Sequence, residues 1–392
     1  MAEIKILKEE VVKKIAAGEV VERPASVLKE LIENSLDAGA TKIEIEVEKA
    51  GRRLIRVYDN GSGMQFKDLP LSIKRHSTSK ISVFEDLERI KTFGFRGEAL
   101  YSISSVSKIR IVSSANENEP AHYIKGEGGK IIESGKTPPI KGTITEVRDL
   151  FFNTPARSKF LKSDQSERAH LIRCVEDAAC ANTDISFLLK IDGVEIYDFR
   201  AARGDFSQKL LERAKAILGK NISRDMIFVS EENKDVKVRC FISSPGNLCA
   251  TAMNQYYFVN RRPVHSKTIR QAVYSAYERL RGNRHPALVL FVETEPENFD
   301  VNIHPQKKEI KFLDETGVFR FIKSSIARAI EKNLRPVKIL ETPENAPEEG
   351  GHFFSKDKIL PTFPPPAGHS SVMEQVSLFS PRASQERSDS SK

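Results

Sequence analysis

Glu30, Asn34 and Asp37 stand three and four residues apart in the run RPASVLKELIENSLDAGA. On a helix, that spacing makes them neighbours on one face. A carboxylate beside an amide suits work on a phosphate and a metal ion. Further along, Asp59-Asn60-Gly61-Ser62-Gly63 closes an apolar segment. An ionised Asp59 is acceptor-only, which fits the amine of a base. Gly61 and Gly63 let the backbone pass close to a flat ligand and take positive φ. Taken singly, a glutamate on an open helix face is solvated, and Asp-Asn-Gly is a turn. Their order and spacing carry the reading.

Two later stretches carry oxygen-binding chemistry. RHSTSKIS, Arg75 to Ser82, places Thr78, Ser79 and Lys80 in a segment without periodicity, so hydroxyls and an ammonium can meet phosphate there. In TFGFRGEAL, Gly94 and Gly97 precede a predicted helix, and the stretch Gly94, Phe95, Arg96, Gly97, Glu98, Ala99, Leu100 reads as a second phosphate cradle. Free backbone N–H groups at a helix start bind phosphate. The lysine-containing P-loop pattern is absent from the sequence.

Regular elements must hold these groups in place. Pro24 fits the first turn of a helix and Gly39 its stop. Between them Val27, Leu28, Leu31, Ile32 and Ala38 share one side at helical spacing. Ile43, Ile45 and Val47 alternate as a half-buried strand, and Leu54 to Tyr58 is a second strand running into the glycine loop. Strands are predicted at 108–114, as a pair within 121–134, and at 142–147, the last buried. A helix over 84–91 and another over 166–182 follow the same logic. Beyond lie a hairpin at 185–191 and 194–199, a helix at 206–218, and strands at 236–243 and 255–259. Next come a helix at 264–280, a strand at 288–293, two strands flanking 300–312, and a helix at 318–333.

Composition narrows the class. Of 392 residues, 39% are hydrophobic and 30% charged, as in soluble globular proteins. No apolar run is long enough to span a bilayer, and the charged N-terminus lacks the apolar stretch of a signal peptide. The expectation is a cytoplasmic protein with no membrane partner. The four cysteines lack metal-ligand spacing and read as buried free thiols. The net charge is +8, and residues 1–335 carry +10 of it against −2 beyond. A basic body is compatible with a polyanionic partner. Eight of the 19 prolines fall after residue 335, with Glu, Ser and Gly. That composition predicts a disordered linker, and its end at 392 points to a fragment or a missing domain.

Taken together, IAAGEVVERPASVLKELIENSLDAGA, DNGSG, RHSTSKI, GFRGEAL, FFNTPAR, VNRRP and NIHPQKKEIKF resemble, in order, the MutL family of DNA mismatch-repair proteins. The resemblance covers residues 4–335. It implies a GHKL-type ATPase α/β sandwich over 1–205, a second α/β domain of ribosomal-protein type over 206–335, and a disordered Pro/Ser-rich tail over 336–392. It implies a slow, regulatory, Mg²⁺-dependent ATPase that dimerises through its N-terminal region when ATP is bound. Glu30 would be the general base and Asn34 the Mg²⁺ ligand. Asp59, Gly61, Gly63 and Thr143 would hold adenine. Thr78, Ser79 and Lys80 would belong to a lid, and Gly94 to Leu100 would hold the phosphates. Lys307 would reach the terminal phosphate.

Arg261, Arg262, Lys267, Arg270 and Arg281 would contact DNA without sequence preference. Mismatch-recognition and strand-incision or unwinding factors, a homodimer, and a nucleoid-associated location in a bacterium are implied in the same way. Tyr101 departs from the family pattern, in which a small residue is usual. Gln306 and Lys308 also depart, with Lys307 retained. No endonuclease motif is visible in the sequence. Two alternatives are the ATPase subunit of a type II topoisomerase and an ATP-binding scaffold without turnover.

Overall fold

The protein is described by a computed structural model that covers residues 20–75, 77, 97–300 and 310–334. The predicted helix at 84–91, most of the 4–22 segment and the tail from 336 lie outside the described residues. So do Thr78, Ser79, Lys80, Gly94, Phe95, Arg96 and Lys307.

Helix α1 spans Pro24–Asp37, with Pro24 in its first turn and Gly39 at φ 70° just past its end. It buries Val27, Leu28, Leu31, Ile32 and also Ser35. Strands β1 (Lys42–Glu48) and β2 (Leu54–Asp59) follow, then α2 (Ala99–Ser105). Next come β3 (Lys108–Ser114), β4 (Ala121–Glu127), β5 (Lys130–Thr137) and β6 (Gly142–Arg148). Helices α3 (Pro155–Phe160) and α4 (Asp164–Ala181) lead to the hairpin of β7 (Ser186–Ile191) and β8 (Val194–Phe199). These eight strands form one sheet in the order β5-β4-β3-β6-β2-β1-β7-β8. Only β1 and β7 pair in parallel, a connection that needs the long helical crossover between them.

One face of this sheet packs under α1, α2 and α4. The other face is open and carries charge, with Arg56 reaching Glu46 and Glu146, and Arg110 reaching Glu146. Alternation along each strand separates the two faces. Ile55, Val57 and Asp59 of β2 therefore sit on the helix side, opposite Val47, Ile45 and Ile43 of β1. Strand β6 was expected to be buried throughout. It alternates instead, because one side of every strand here meets water.

By contacts, residues 1–336 form one compact unit, and a second sheet within it is preceded by α5 (Phe206–Leu218), held by an Asp205–Gln208 capping box, and α6 (Lys220–Ser223). Its strands are β9 (Met226–Glu232), β10 (Val236–Ser243), β11 (Gln255–Val259), β12 (Arg262–Pro263) and β13 (Leu288–Thr294). They lie in the order β12-β11-β13-β10-β9. Helices α7 (Lys267–Ala276) and α8 (Glu315–Leu334) cover one face. Helix α5 and the end of α4 cover the other. Burial on both faces explains why Leu288 to Val292 is an unbroken apolar run. Short strands β14 (Phe299–Asp300) and β15 (Lys311–Phe312) pair on either side of 301–309.

Three readings change. The helix expected over 264–280 is shorter. Val264 N–H still completes the β11–β12 turn to the Tyr257 carbonyl, and the Ser266 hydroxyl caps the helix through Ile269 N–H. Strand β9 and helix α3 were not foreseen. Only Cys180 and Cys240 are buried, while Cys174 and Cys249 are half-buried, and none of the four is in a disulfide.

Candidate functional site

Asp59 sits at the end of β2, where the sheet meets α1. The period-two pattern aims its side chain at the helix layer, and it is 5% exposed. Two donors hold it. Gly61 N–H donates to Oδ1 at 2.9 Å, and Ser35 Oγ lies 2.9 Å from Oδ2. Burial still pushes the Asp59 carboxyl above its ordinary range, and these hydrogen bonds hold it partly down. Ser35 is on the buried face of α1, one turn after Leu31, whose carbonyl lies 3.1 Å from its hydroxyl.

Neighbouring strands extend this row. Thr143 of β6 lies opposite Asp59, and Ser113 of β3 lies opposite Thr143. The Ser113 and Thr143 hydroxyls are 2.8 Å apart, and Ser113 Oγ also accepts from Met64 N–H at 2.8 Å. The glycine loop is thereby tied to β3. It is also tied to α1, because Ser62 N–H donates to the Ala38 carbonyl at 2.9 Å. Asn60 fastens it to β1 through the Thr41 and Lys42 N–H groups, each at 2.9 Å.

The two loop glycines have different reasons. Gly63 has φ 64°, and a Cβ there would lie 1.9 Å from the Ser114 carbonyl oxygen. Gly61 does not take positive φ, contrary to expectation. It is needed because a Cβ would stand 2.8 Å from both Cβ and O of Ala38. Gly97 combines φ 62° with a backbone approach to Ser77, whose carbonyl would lie 2.6 Å from an added Cβ. Beside it Glu98 pairs with Arg75 at 3.5 Å.

Glu30, Asn34, Asp59, Gly63, Gly97, Glu98, Ala99, Leu100 and Thr143 all line one cleft of about 2350 Å³. The cleft continues onto the second sheet's side, where Arg261, Arg262, Lys267 and Arg270 line it as well. Gly61 stands just behind the lining, and Arg281 lies apart, its guanidinium 5.1 Å from the Tyr274 ring. Ligand pockets measure roughly 300–1,000 Å³, so there is room for more than one small molecule. Glu33, one turn from Glu30, lines the same wall. Burial pushes its carboxyl up to about 7, with Lys29 opposing, Glu30 adding to the rise and Arg262 opposing from the second sheet's side.

Sequence reasoning passed over Ser35, Ser113, Asn60 and Glu33. Ser35 left a signal, a polar residue at an apolar position of α1. Ser113 left none, since only the strand register brings it to Thr143.

A mixed sheet under helices, with a seated aspartate at a strand end and an acid–amide face above it, defines a class of ATPase fold. The family model described as histidine kinase-, DNA gyrase B-, and HSP90-like ATPase matches residues 22–141, and that described as DNA mismatch repair protein, C-terminal domain, matches residues 214–331. The DNA mismatch repair protein MutL of Elusimicrobium minutum (strain Pei191) is 48% identical over 386 residues, 98% of this chain. The solved Aquifex aeolicus MutL ATPase domain complexed with ADP is 32% identical, covering 71% of this chain and 94% of that one at TM-score 0.54. The chain belongs to the MutL family of DNA mismatch repair proteins.

It spans 63% of the length of the E. minutum relative. The crystal structure of the N terminal domain of a DNA repair protein agrees in fold at TM-score 0.71, over 82% of this chain and 98% of that one, at 24% identity. Family membership sets the topoisomerase alternative aside.

Proposed function

We propose that this chain binds and hydrolyses ATP as the regulatory step of DNA mismatch repair. The observation that carries the reading is Asp59, seated by two donors in the cleft that the Glu30–Asn34 face of α1 also lines. Asp59 accepts from the adenine amine, and its neighbours hold the carboxylate in place before the base arrives. Gly61 and Gly63 keep the loop low enough for the ring to lie flat. Residues 97–100 hold phosphate.

Glu30 accepts a hydrogen bond from the attacking water and takes its proton. Asn34 fits Mg²⁺ because that ion takes few protein oxygens and leaves its other positions to water and phosphate. Mg²⁺ held by Asn34 would supply positive charge against that of the phosphates.

The reading extends further by family. Lys307 stabilises the terminal phosphate, Thr78, Ser79 and Lys80 close over it as a lid, and Gly94 to Arg96 hold phosphate with residues 97–100. ATP-bound N-terminal regions pair, and hydrolysis parts them. The basic wall from Arg261 to Arg270, with Arg281, meets DNA through phosphates. Mismatch-recognition and strand-incision or unwinding factors are the partners, and the compartment is the cytoplasm, at the nucleoid. Among the described residues no helix is long and apolar enough to cross a membrane. The domain limits 1–205, 206–335 and 336–392 belong to the same proposal.

The test is Mg²⁺-dependent phosphate release by wild type and Glu30→Ala, with ADP affinity measured alongside. Loss of turnover by about 100-fold or more, the range for a general base, with ADP binding kept supports the reading. Absence of turnover in both, with ADP bound, would leave the non-hydrolysing scaffold as the better account, and equal measurable turnover would remove Glu30 from the role of base.

A further inference from the structure

Arg281 stands away from the cleft, yet one ring links it to the basic wall. Tyr274 lies on α7 one turn after Arg270, and residues four apart share a helix face. The Arg270 guanidinium is 5.7 Å from the centre of the Tyr274 ring, and that of Arg281 is 5.1 Å from it. Both lie within reach of a cation–π contact. Arg281 arrives from the turn after α7, where its backbone N–H donates to the Tyr277 carbonyl at 3.0 Å.

The ring itself is held. Gln255 Nε2 donates to the Tyr274 hydroxyl at 3.1 Å and to the Pro286 carbonyl at 2.9 Å. The Tyr257 hydroxyl donates to Gln255 Oε1 at 3.0 Å and so fixes that amide. On the other side, the Tyr274 hydroxyl and His285 Nδ1 are 2.6 Å apart. The turn carrying Arg281 is pinned at both ends. Tyr277 is fully buried, and His285 exchanges two backbone hydrogen bonds with Cys249, at 2.8 and 2.9 Å.

The charge on this ring is not neutralised by the fold. Among the described residues Arg270 and Arg281 have no carboxylate in ion-pair contact, whereas Arg52, Arg53, Arg56 and Arg110 each have one. Long side chains lose rotamer freedom when a ligand orders them. Two guanidinium groups already resting on a fixed ring lose less, and phosphate is the acceptor their donors fit. We infer that Tyr274 is a positioning residue that holds Arg270 and Arg281 ready for DNA phosphates, which carries the contact from the cleft out to the turn at 281–285. This rests on the DNA reading above and adds a residue that acts through the two arginines.

Anisotropy of a labelled DNA duplex, titrated with the full chain across a salt series, tests this. The proteins are wild type, Tyr274→Leu, Tyr274→Phe, and Arg270→Ala with Arg281→Ala, the last with and without Tyr274→Leu. Tyr274→Leu should lower affinity about 5-fold, the scale of one exposed ring–cation contact, at an unaltered salt slope, because both charges remain. Tyr274→Phe keeps the ring and should recover most of that loss. Removing both arginines should flatten the log–log slope by roughly two units, and adding Tyr274→Leu should then change nothing further. Undiminished affinity in Tyr274→Leu would overturn the inference. A loss that persists without the two arginines would do the same, since the ring would then act on DNA or on the fold directly. So would wild-type binding by the variant lacking both arginines, which would leave the DNA contact to Arg261, Arg262 and Lys267. Absence of DNA binding by wild type would remove the DNA reading and this role together.

Discussion

Gly63 shows how tightly a single backbone position is constrained. Its φ of 64° and the 1.9 Å separation that any Cβ would have from the Ser114 carbonyl oxygen act together. The left-handed backbone alone costs a non-glycine residue about 1–2 kcal/mol, and the overlap forces β3 and the loop apart. Gly63→Ala should lower the melting temperature by several degrees and abolish ADP binding, read by calorimetry.

Glu33 gives a pH dependence. Its folded carboxyl titrates at about 7, above the ordinary 4.5, so the ionised form is the disfavoured one in the fold. The penalty grows as pH rises from about 4.5 to 7 and is constant above. Glu33→Gln carries no such penalty. Its stability relative to wild type should therefore rise across pH 4.5–7 and level off, as followed by denaturant midpoints. A flat difference would show that Glu33 keeps its ordinary titration.

Glu30, Asn34 and Asp59 were legible because helix spacing and a strand-end turn are local patterns. The partners that seat Asp59 were less so. Thr143 is 84 residues away in sequence and reaches Asp59 only through β2–β6 register. Gly61 was read for the wrong reason, since close approach to Ala38 and positive φ leave the same mark in a sequence.

Among the elements, α4 joins the two sheets. Tyr197 of β8 and Tyr256 of β11 donate to the two oxygens of Glu176, at 2.6 and 2.8 Å. One turn earlier on α4, Arg173 stacks on the Tyr256 ring at 3.6 Å and donates to the Met253 and Gln255 carbonyls. Tyr256→Phe keeps the stacked ring and leaves Glu176 Oε2 without its donor. A loss of about 1–3 kcal/mol is expected, and chemical denaturation would measure it. Stability within error of wild type would mean that water replaces the phenol at no cost.

The overlong helix at 264–280 has a cause at this scale. Val264 and Tyr277 are both buried, so the apolar pattern runs past both ends of α7. Strand β9 escaped notice because Phe228 is exposed on the face where a polar residue would have marked the alternation.

For the whole molecule, the position of the basic wall matters most. Arg261, Arg262, Lys267 and Arg270 share a cleft with the acid–amide face instead of lying on a remote surface. DNA affinity should fall steeply between low and physiological salt, with a log–log slope of about −0.9 per phosphate neutralised. Replacing Arg261 and Lys267 by Ala should flatten that slope by roughly two units, measured by fluorescence anisotropy. An unaltered slope would move the DNA contact elsewhere.

Thiol placement has a practical consequence for labelling the chain. Burial pushes the Cys180 and Cys240 thiols above their ordinary range, which leaves them inert. Cys174 on α4 and Cys249 ahead of β11 are only half-buried. Spin labels or dyes would attach at those two positions, one on α4 and one ahead of the second sheet's β11, so the native chain already carries the endpoints of a molecular ruler.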